Sequence, residues 1–183
     1  MTGKGGFTLF ELIIAFAILG IVASVAVPGF TRWLPDYRLK NAARDLYSNM
    51  QLAKMGALKN NSNWAIVFDI YTNRYFICSD DGGDDTWTNG NETVEKTAIL
   101  SDYKSGVGFG HGNATDDIPD PGLGTAPTDD ITYGSDVAVF NPRGTCKGGY
   151  VYLDNQKKTT TYGVGTRSSG VILLRKWSGT EWE

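Results

Sequence analysis

Few residues in this sequence have the types and spacing that chemistry needs. One histidine, His111, and two cysteines, Cys78 and Cys146, are all the soft ligands it holds, too few for a closed zinc site of four Cys or His ligands within one chain. His111 is the only imidazole available for nucleophilic catalysis, and no serine or cysteine stands in an elbow motif. The run Gly106-Val107-Gly108-Phe109-Gly110-His111-Gly112 matches neither the dinucleotide fingerprint nor the P-loop, which needs Gly-Lys-Ser/Thr, and reads as a hairpin turn. No enzyme and no catalytic residue is expected. Hard oxygen ligands are more plentiful. Asp80, Asp81, Asp84 and Asp85, followed by Asn89, Asn91 and Glu92, make an acidic loop of the kind calcium favours, without EF-hand spacing. A solvated loop is the other reading, and no other cofactor is implied.

Glu11 is the residue whose surroundings demand most explanation. From Phe7 to Thr31 it is the only charged side chain, and a carboxylate in an apolar helix is costly unless it has a partner. One reading places it near a helix start, where the macrodipole favours an anion. The other gives it a cation. Residues 1–6 form a hydrophilic leader with one Lys, Lys4, ending in Gly5-Gly6. A cut after Gly6 would leave the apolar helix on the mature chain and a free amino group on Phe7. A neighbouring subunit's amine could then pair with Glu11 when such helices pack away from water.

The elements that carry these residues can be read from the periodicity. Residues 7–31 would reach about 37 Å as a helix, enough to cross a bilayer core of about 30 Å, so this segment is expected in a membrane for part of its life. A secretory signal would place its small-residue cleavage site after the apolar core, not before it. Residues 32–59 continue as an amphipathic half, with Leu39, Ala42, Ala43, Leu46, Met50, Ala53 and Ala57 in one apolar stripe. The whole helix, from about 9 to 58, would be about 75 Å long and bent at Pro28 and Pro35. From residue 64 to 183 the period becomes β-like. Strands are expected near 64–70, 74–79, 97–101, 105–109, 136–140, 149–154, 160–165 and 170–177, with Asn73 in the first turn. The fold class is α+β: a long N-terminal helix packed on a C-terminal antiparallel sheet or sandwich. With 183 residues, 17 Lys+Arg and 20 Asp+Glu, the chain has room for one such domain and little more.

Gly6-Phe7-Thr8-Leu9-Phe10-Glu11-Leu12, followed by the apolar run with Gly20 and Pro28, resembles the class III signal of type IV pilins and pseudopilins. The later half resembles the GspH/FimT group of minor pseudopilins, on Trp87 to Gly90 before Ile99-Leu100, on Val139-Phe140-Asn141-Pro142-Arg143-Gly144-Thr145, and on Ser169-Gly170-Val171 before Arg175-Lys176-Trp177. The resemblance implies a pilin-like subunit whose leader is removed after Gly6 by prepilin peptidase, whose Phe7 is N-methylated, and whose Glu11 serves filament assembly. It implies partners among other pilins or pseudopilins, an inner-membrane assembly platform and membrane lipid. It places the chain in the bacterial inner membrane as a single pass with a periplasmic C-terminal domain, and then in a pseudopilus or pilus. A minor subunit of type II secretion is the first expectation, and a minor pilin of a type IV pilus, including a DNA-binding competence pilin, is the alternative.

In an oxidising periplasm Cys78 and Cys146 could form a disulfide. It would close a loop of about 68 residues and stabilise by about 4 kcal/mol, two separate buried thiols being the alternative. For DNA, the tail Gly170-Val171-Ile172-Leu173-Leu174-Arg175-Lys176 departs from the Gly-Arg-x-Arg that the resemblance would call for. It leaves Arg175 and Lys176, with Arg167, Lys157 and Lys158, to neutralise phosphates, and nucleic acid is not an expected partner. Charge is also uneven along the chain. Residues 79–130 carry twelve Asp+Glu against two Lys, and residues 141–183 seven Lys+Arg against three Asp+Glu.

Overall fold

The seven-residue apolar stripe forms one side of helix α1 (Leu9–Asn60). The computed structural model describes residues 6–88, 90–118 and 125–183, with the side chains of residues 25–32 also outside the description. In it all seven stripe residues are at most 1% exposed. Fully burying a Leu or Met side chain stabilises by about 1.5–3 kcal/mol. Packing of this face therefore holds the second half of the helix more firmly than helix propensity does. The helix ends where Asn61 turns left-handed, at φ 51, a conformation Asn tolerates. Helix α1 continues through both Pro28 and Pro35, so neither proline ends it.

The chain divides into two compact units, Met1–Leu34 and Pro35–Glu183. In the second, the helix from Pro35 onward packs on eight strands: β1 (Trp64–Asp69), β2 (Arg74–Asp80), β3 (Thr93–Ile99), β4 (Gly108–Phe109), β5 (Val137–Phe140), β6 (Gly149–Asp154), β7 (Tyr162–Thr166) and β8 (Ile172–Lys176). They form two four-stranded antiparallel sheets, ordered β3-β2-β1-β5 and β4-β6-β7-β8. The α+β class expected from the sequence is the one observed.

Strand alternation divides each sheet into two faces. Ile66, Phe68, Tyr75, Ile77, Ala138 and Phe140 of the first sheet, with Val151, Leu153, Tyr162, Val164 and Ile172 of the second, share one core with the helix stripe. Gly56 makes room for the Trp64 ring against the helix. A Cβ there would lie 2.5–2.6 Å from three carbons of the Trp64 ring. Polar ties fix the helix to the sheets: Asn49 Nδ2 donates to Tyr75 Oη at 2.7 Å and Lys96 Nζ to Asn49 Oδ1 at 2.9 Å. Arg38 donates to Ser105 Oγ at 2.8 Å, Asn155 Nδ2 to Asp36 Oδ1 at 2.9 Å, and the Tyr103 hydroxyl to Asp45. Burial pushes the Tyr75 phenol up to about 12, against the opposing Asn49 bond.

Several strands differ from the expected positions for local reasons. The strand expected at 97–101 is β3 at Thr93–Ile99, continued by a 3-10 turn at Leu100–Tyr103. It is an edge strand exposed along almost its whole length, so it carries no alternation to read. The strand expected at 105–109 shrinks to two residues because Lys104, Ser105 and Gly106 all take positive φ. The last two strands start at Tyr162 and Ile172, the latter after Gly170 turns at φ 76.

Candidate functional site

Helix α1 begins with a reciprocal cap. The Thr8 amide and the Thr8 hydroxyl both donate to Glu11 Oε2 at 2.9 Å, and the Glu11 amide donates to Thr8 Oγ1 at 3.2 Å. This is a capping box, Thr8 as N-cap and Glu11 three residues on, which satisfies helix-start donors that would otherwise lack partners. Sequence reasoning weighed Glu11 against a macrodipole and a cation and missed Thr8. The Thr-x-x-Glu spacing before an apolar run was the available signal.

Every described residue from 6 to 24 is exposed, including Phe7 at 89% and ten further large apolar side chains from Leu9 to Val22. A helix apolar on all sides needs a membrane or other helices around it. Among the described residues no helix is long and apolar enough to cross a membrane. The described apolar part covers residues 9–24, short of the roughly 20 a span requires. Gly6 has nothing within 4 Å of where a Cβ would sit. Nothing in the chain's own packing calls for glycine there.

The other sequence-predicted sites are placed as follows. Cys78 pairs in register with Ala65, on the outer face of the first sheet beside Trp87. Cys146 bridges Phe140 and belongs to the helix-facing core. Both thiols are free and buried. Cys78 lies in the outer-face cluster and Cys146 in the helix-facing core, the arrangement of two separate buried thiols. Burial, with the Glu92 carboxylate second, pushes the Cys78 thiol up to about 11. Burial also raises Cys146.

The calcium candidates do not converge either. Asp80, Asp81 and Asp84 each accept a backbone amide of their own loop, from Gly82, Gly83 and Thr86 at 2.7, 2.9 and 2.9 Å. Asn91 Nδ2 donates to Asp84 Oδ2 at 3.1 Å, and Asp85 turns left-handed at φ 59. Asn89 lies outside the described residues. Among the described residues no group of three His, Cys, Asp or Glu side chains could hold a metal ion. Arg175 and Lys176, adjacent on β8, point to opposite faces by strand alternation and do not make one basic patch. His111, expected in a hairpin turn, pairs its Nδ1 with Asp130 Oδ1 at 2.6 Å, a contact the sequence did not indicate.

Two of the three family-like stretches of the later half, those at Asn141 to Thr145 and at Gly170, come together. Asn141 organises its turn, accepting amides from Arg143 and Thr145 at 2.9 and 3.3 Å and donating to Thr145 Oγ1 at 2.6 Å. Against it lies the turn at Gly170, where a Cβ would stand 1.9 Å from the Gly144 carbonyl oxygen. Lys54 Nζ of the helix donates to the Gly170 carbonyl at 2.9 Å. Only glycine at 170 permits this approach of the two turns, and the Lys54 bond ties them to the helix.

Residues 1–27 match the prokaryotic N-terminal methylation motif, and residues 42–170, more than half of the chain, match type II transport protein GspH. Among solved structures the chain is similar to the minor pseudopilin EpsH from the type 2 secretion system of Vibrio cholerae. One structure is 16% identical, covers 75% of this chain and 95% of that one, and has a TM-score of 0.48. A second is 18% identical, covers 76% and 94%, and has a TM-score of 0.46. No curated protein matches. With a methylation motif at the capped, exposed helix start and a match to type II transport protein GspH over the helix–sheet domain, the chain belongs to the GspH family.

Proposed function

We propose that this chain is a structural subunit that works by assembling. Prepilin peptidase removes residues 1–6 and Phe7 is N-methylated. The apolar helix anchors the subunit in the bacterial inner membrane as a single pass, with the sheet domain in the periplasm. The assembly platform then moves it into the helix bundle of a periplasmic pseudopilus serving type II protein secretion. The observation that carries this reading is the complete exposure of residues 6–24 with Glu11 as the one charge among them. In the free subunit both Thr8 donors go to Oε2 of Glu11. The second oxygen is left for the methylated amine of a neighbour's Phe7.

The test is the mass of the N-terminal peptide of the chain recovered from cells with and without prepilin peptidase. The expected result is a chain beginning at N-methylated Phe7 in the first and an intact leader in the second. Retention of Met1 in both would contradict the reading.

A further inference from the structure

The outer face of the second sheet, away from the core shared with the helix stripe, carries a groove. Alternation places Tyr150 and Tyr152 of β6 and Leu173 and Arg175 of β8 on this face. Between them β7 offers only Gly163 and Gly165. A Cβ at Gly163 would stand 2.1 Å from Ile118 Cδ1, and one at Gly165 2.5 Å from the Tyr150 ring. The glycines therefore let these side chains sink and form a floor. Trp182 closes one side, its ring 5.5 Å from that of Tyr152 and its Nε1 donating to the Asp116 carbonyl at 2.7 Å.

The resulting groove measures about 610 Å³, and among the described residues its lining includes the side chains of Arg167 and Arg175 but no carboxylate. Both cations act on the Tyr150 hydroxyl, so two positive charges face one end of the groove's aromatic floor. The neighbouring acid Asp117 accepts the Tyr152 hydroxyl. Arg beside Tyr and Trp over a concave apolar floor is the composition of strongly contributing interface residues, and paired guanidiniums select carboxylates.

We infer that this groove docks an acidic peptide segment of another protein chain. Arg167 and Arg175 take its carboxylates, and the floor of Tyr150, Leu173 and Ile118 takes an apolar side chain between them. A polyanion such as single-stranded nucleic acid is disfavoured. Two guanidiniums neutralise few phosphates, and the chain as a whole carries a net charge of -3.

Binding is measured on the full-length protein in detergent micelles by fluorescence polarisation. The probe is a labelled peptide with the sequence of residues 80–92, which joins five acidic residues to Trp87. The neutral probe is the same peptide with Asp and Glu replaced by Asn and Gln, and the third is a labelled oligothymidine. The acidic peptide is expected to bind, and to weaken by about tenfold in the R167Q/R175Q protein and for the neutral peptide, the size of one strong interface residue. The K157Q/K158Q protein, with two cations removed elsewhere, is expected to bind as wild type. No binding of the acidic peptide, equal binding of the neutral one, or tighter binding of oligothymidine would overturn the inference. Isolated protein binds or fails to bind without assembling, so a failure here leaves the pseudopilus reading untouched.

Discussion

Thr8 and Glu11 form a closed pair at the start of the helix, with the Thr8 amide and hydroxyl both 2.9 Å from one Glu11 oxygen. The carboxylate thus has a partner within its own chain, and the proposed assembly would add the methylated amine of a neighbour's Phe7. Glu11→Ala is expected to keep membrane insertion and leader cleavage but to enter filaments poorly. Thr8→Ala, which loses the hydroxyl contact and keeps the carboxylate, should fall between that variant and wild type. Quantifying each variant in sheared filament fractions against total processed protein checks the order. Wild-type incorporation of Glu11→Ala would refute amine pairing.

Gly56 and Trp64 give a prediction about stability. An added Cβ would meet the indole ring at 2.5 Å, and overpacking of this kind costs about 1–3 kcal/mol. Replacing glycine within a helix returns about 1 kcal/mol. Gly56→Ala should therefore lower stability by up to about 2 kcal/mol, and Gly56→Leu should lower the thermal unfolding midpoint further. A Gly56→Leu midpoint at or above wild type would contradict the packing described.

The two cysteines are expected to remain thiols. After denaturation without reductant, both Cys78 and Cys146 should be alkylated in full, and the chain should migrate alike with and without reductant. In the folded protein, with its pKa pushed up to about 11, Cys78 should react slowly at neutral pH. A bridged Cys78–Cys146 peptide would show that the faces have been assigned wrongly.

Asp154 carries a pH dependence. Burial is the main cause raising its carboxyl above the usual range, and Asp130 adds to it, while Lys158, His111 and the Gly112 amide oppose. A raised folded value means that the native state holds this proton longer than the unfolded chain does. Its contribution is fully present below about pH 4, the usual carboxylate value, and is lost as pH rises through the folded value. Asp154→Asn should therefore unfold at a higher temperature than wild type near neutrality, with the gap closing as pH falls toward 4. A variant less stable than wild type near pH 7 would contradict the burial argument.

What the sequence disclosed follows from how local each signal is. The stripe Leu39 to Ala57 was legible because helix period alone decides which side chains share a face, and all seven are buried. The N-terminal motif was legible because its residues are contiguous. Edge strand β3 was misplaced because its exposed residues carry no period, and β4 because three successive positive φ values precede it. The pairing of Cys78 and Cys146 depended on which sheet face each occupies, which register sets and spacing does not. Arg175 and Lys176, neighbours in sequence, are separated by the same alternation. The contact of Gly170 with Gly144 joins turns that only the folded helix–sheet domain brings together.

The central claim, that this chain serves secretion as an assembled subunit, is tested most directly by the extracellular proteome of a strain lacking it. The strain is complemented with wild type or with Glu11→Ala, and surface pili are counted in the same cultures. Loss of specific secreted proteins, restored by wild type but not by Glu11→Ala and with pili unchanged in number, is the predicted result. An unchanged set of secreted proteins with fewer pili would contradict the account and move the subunit to a type IV pilus.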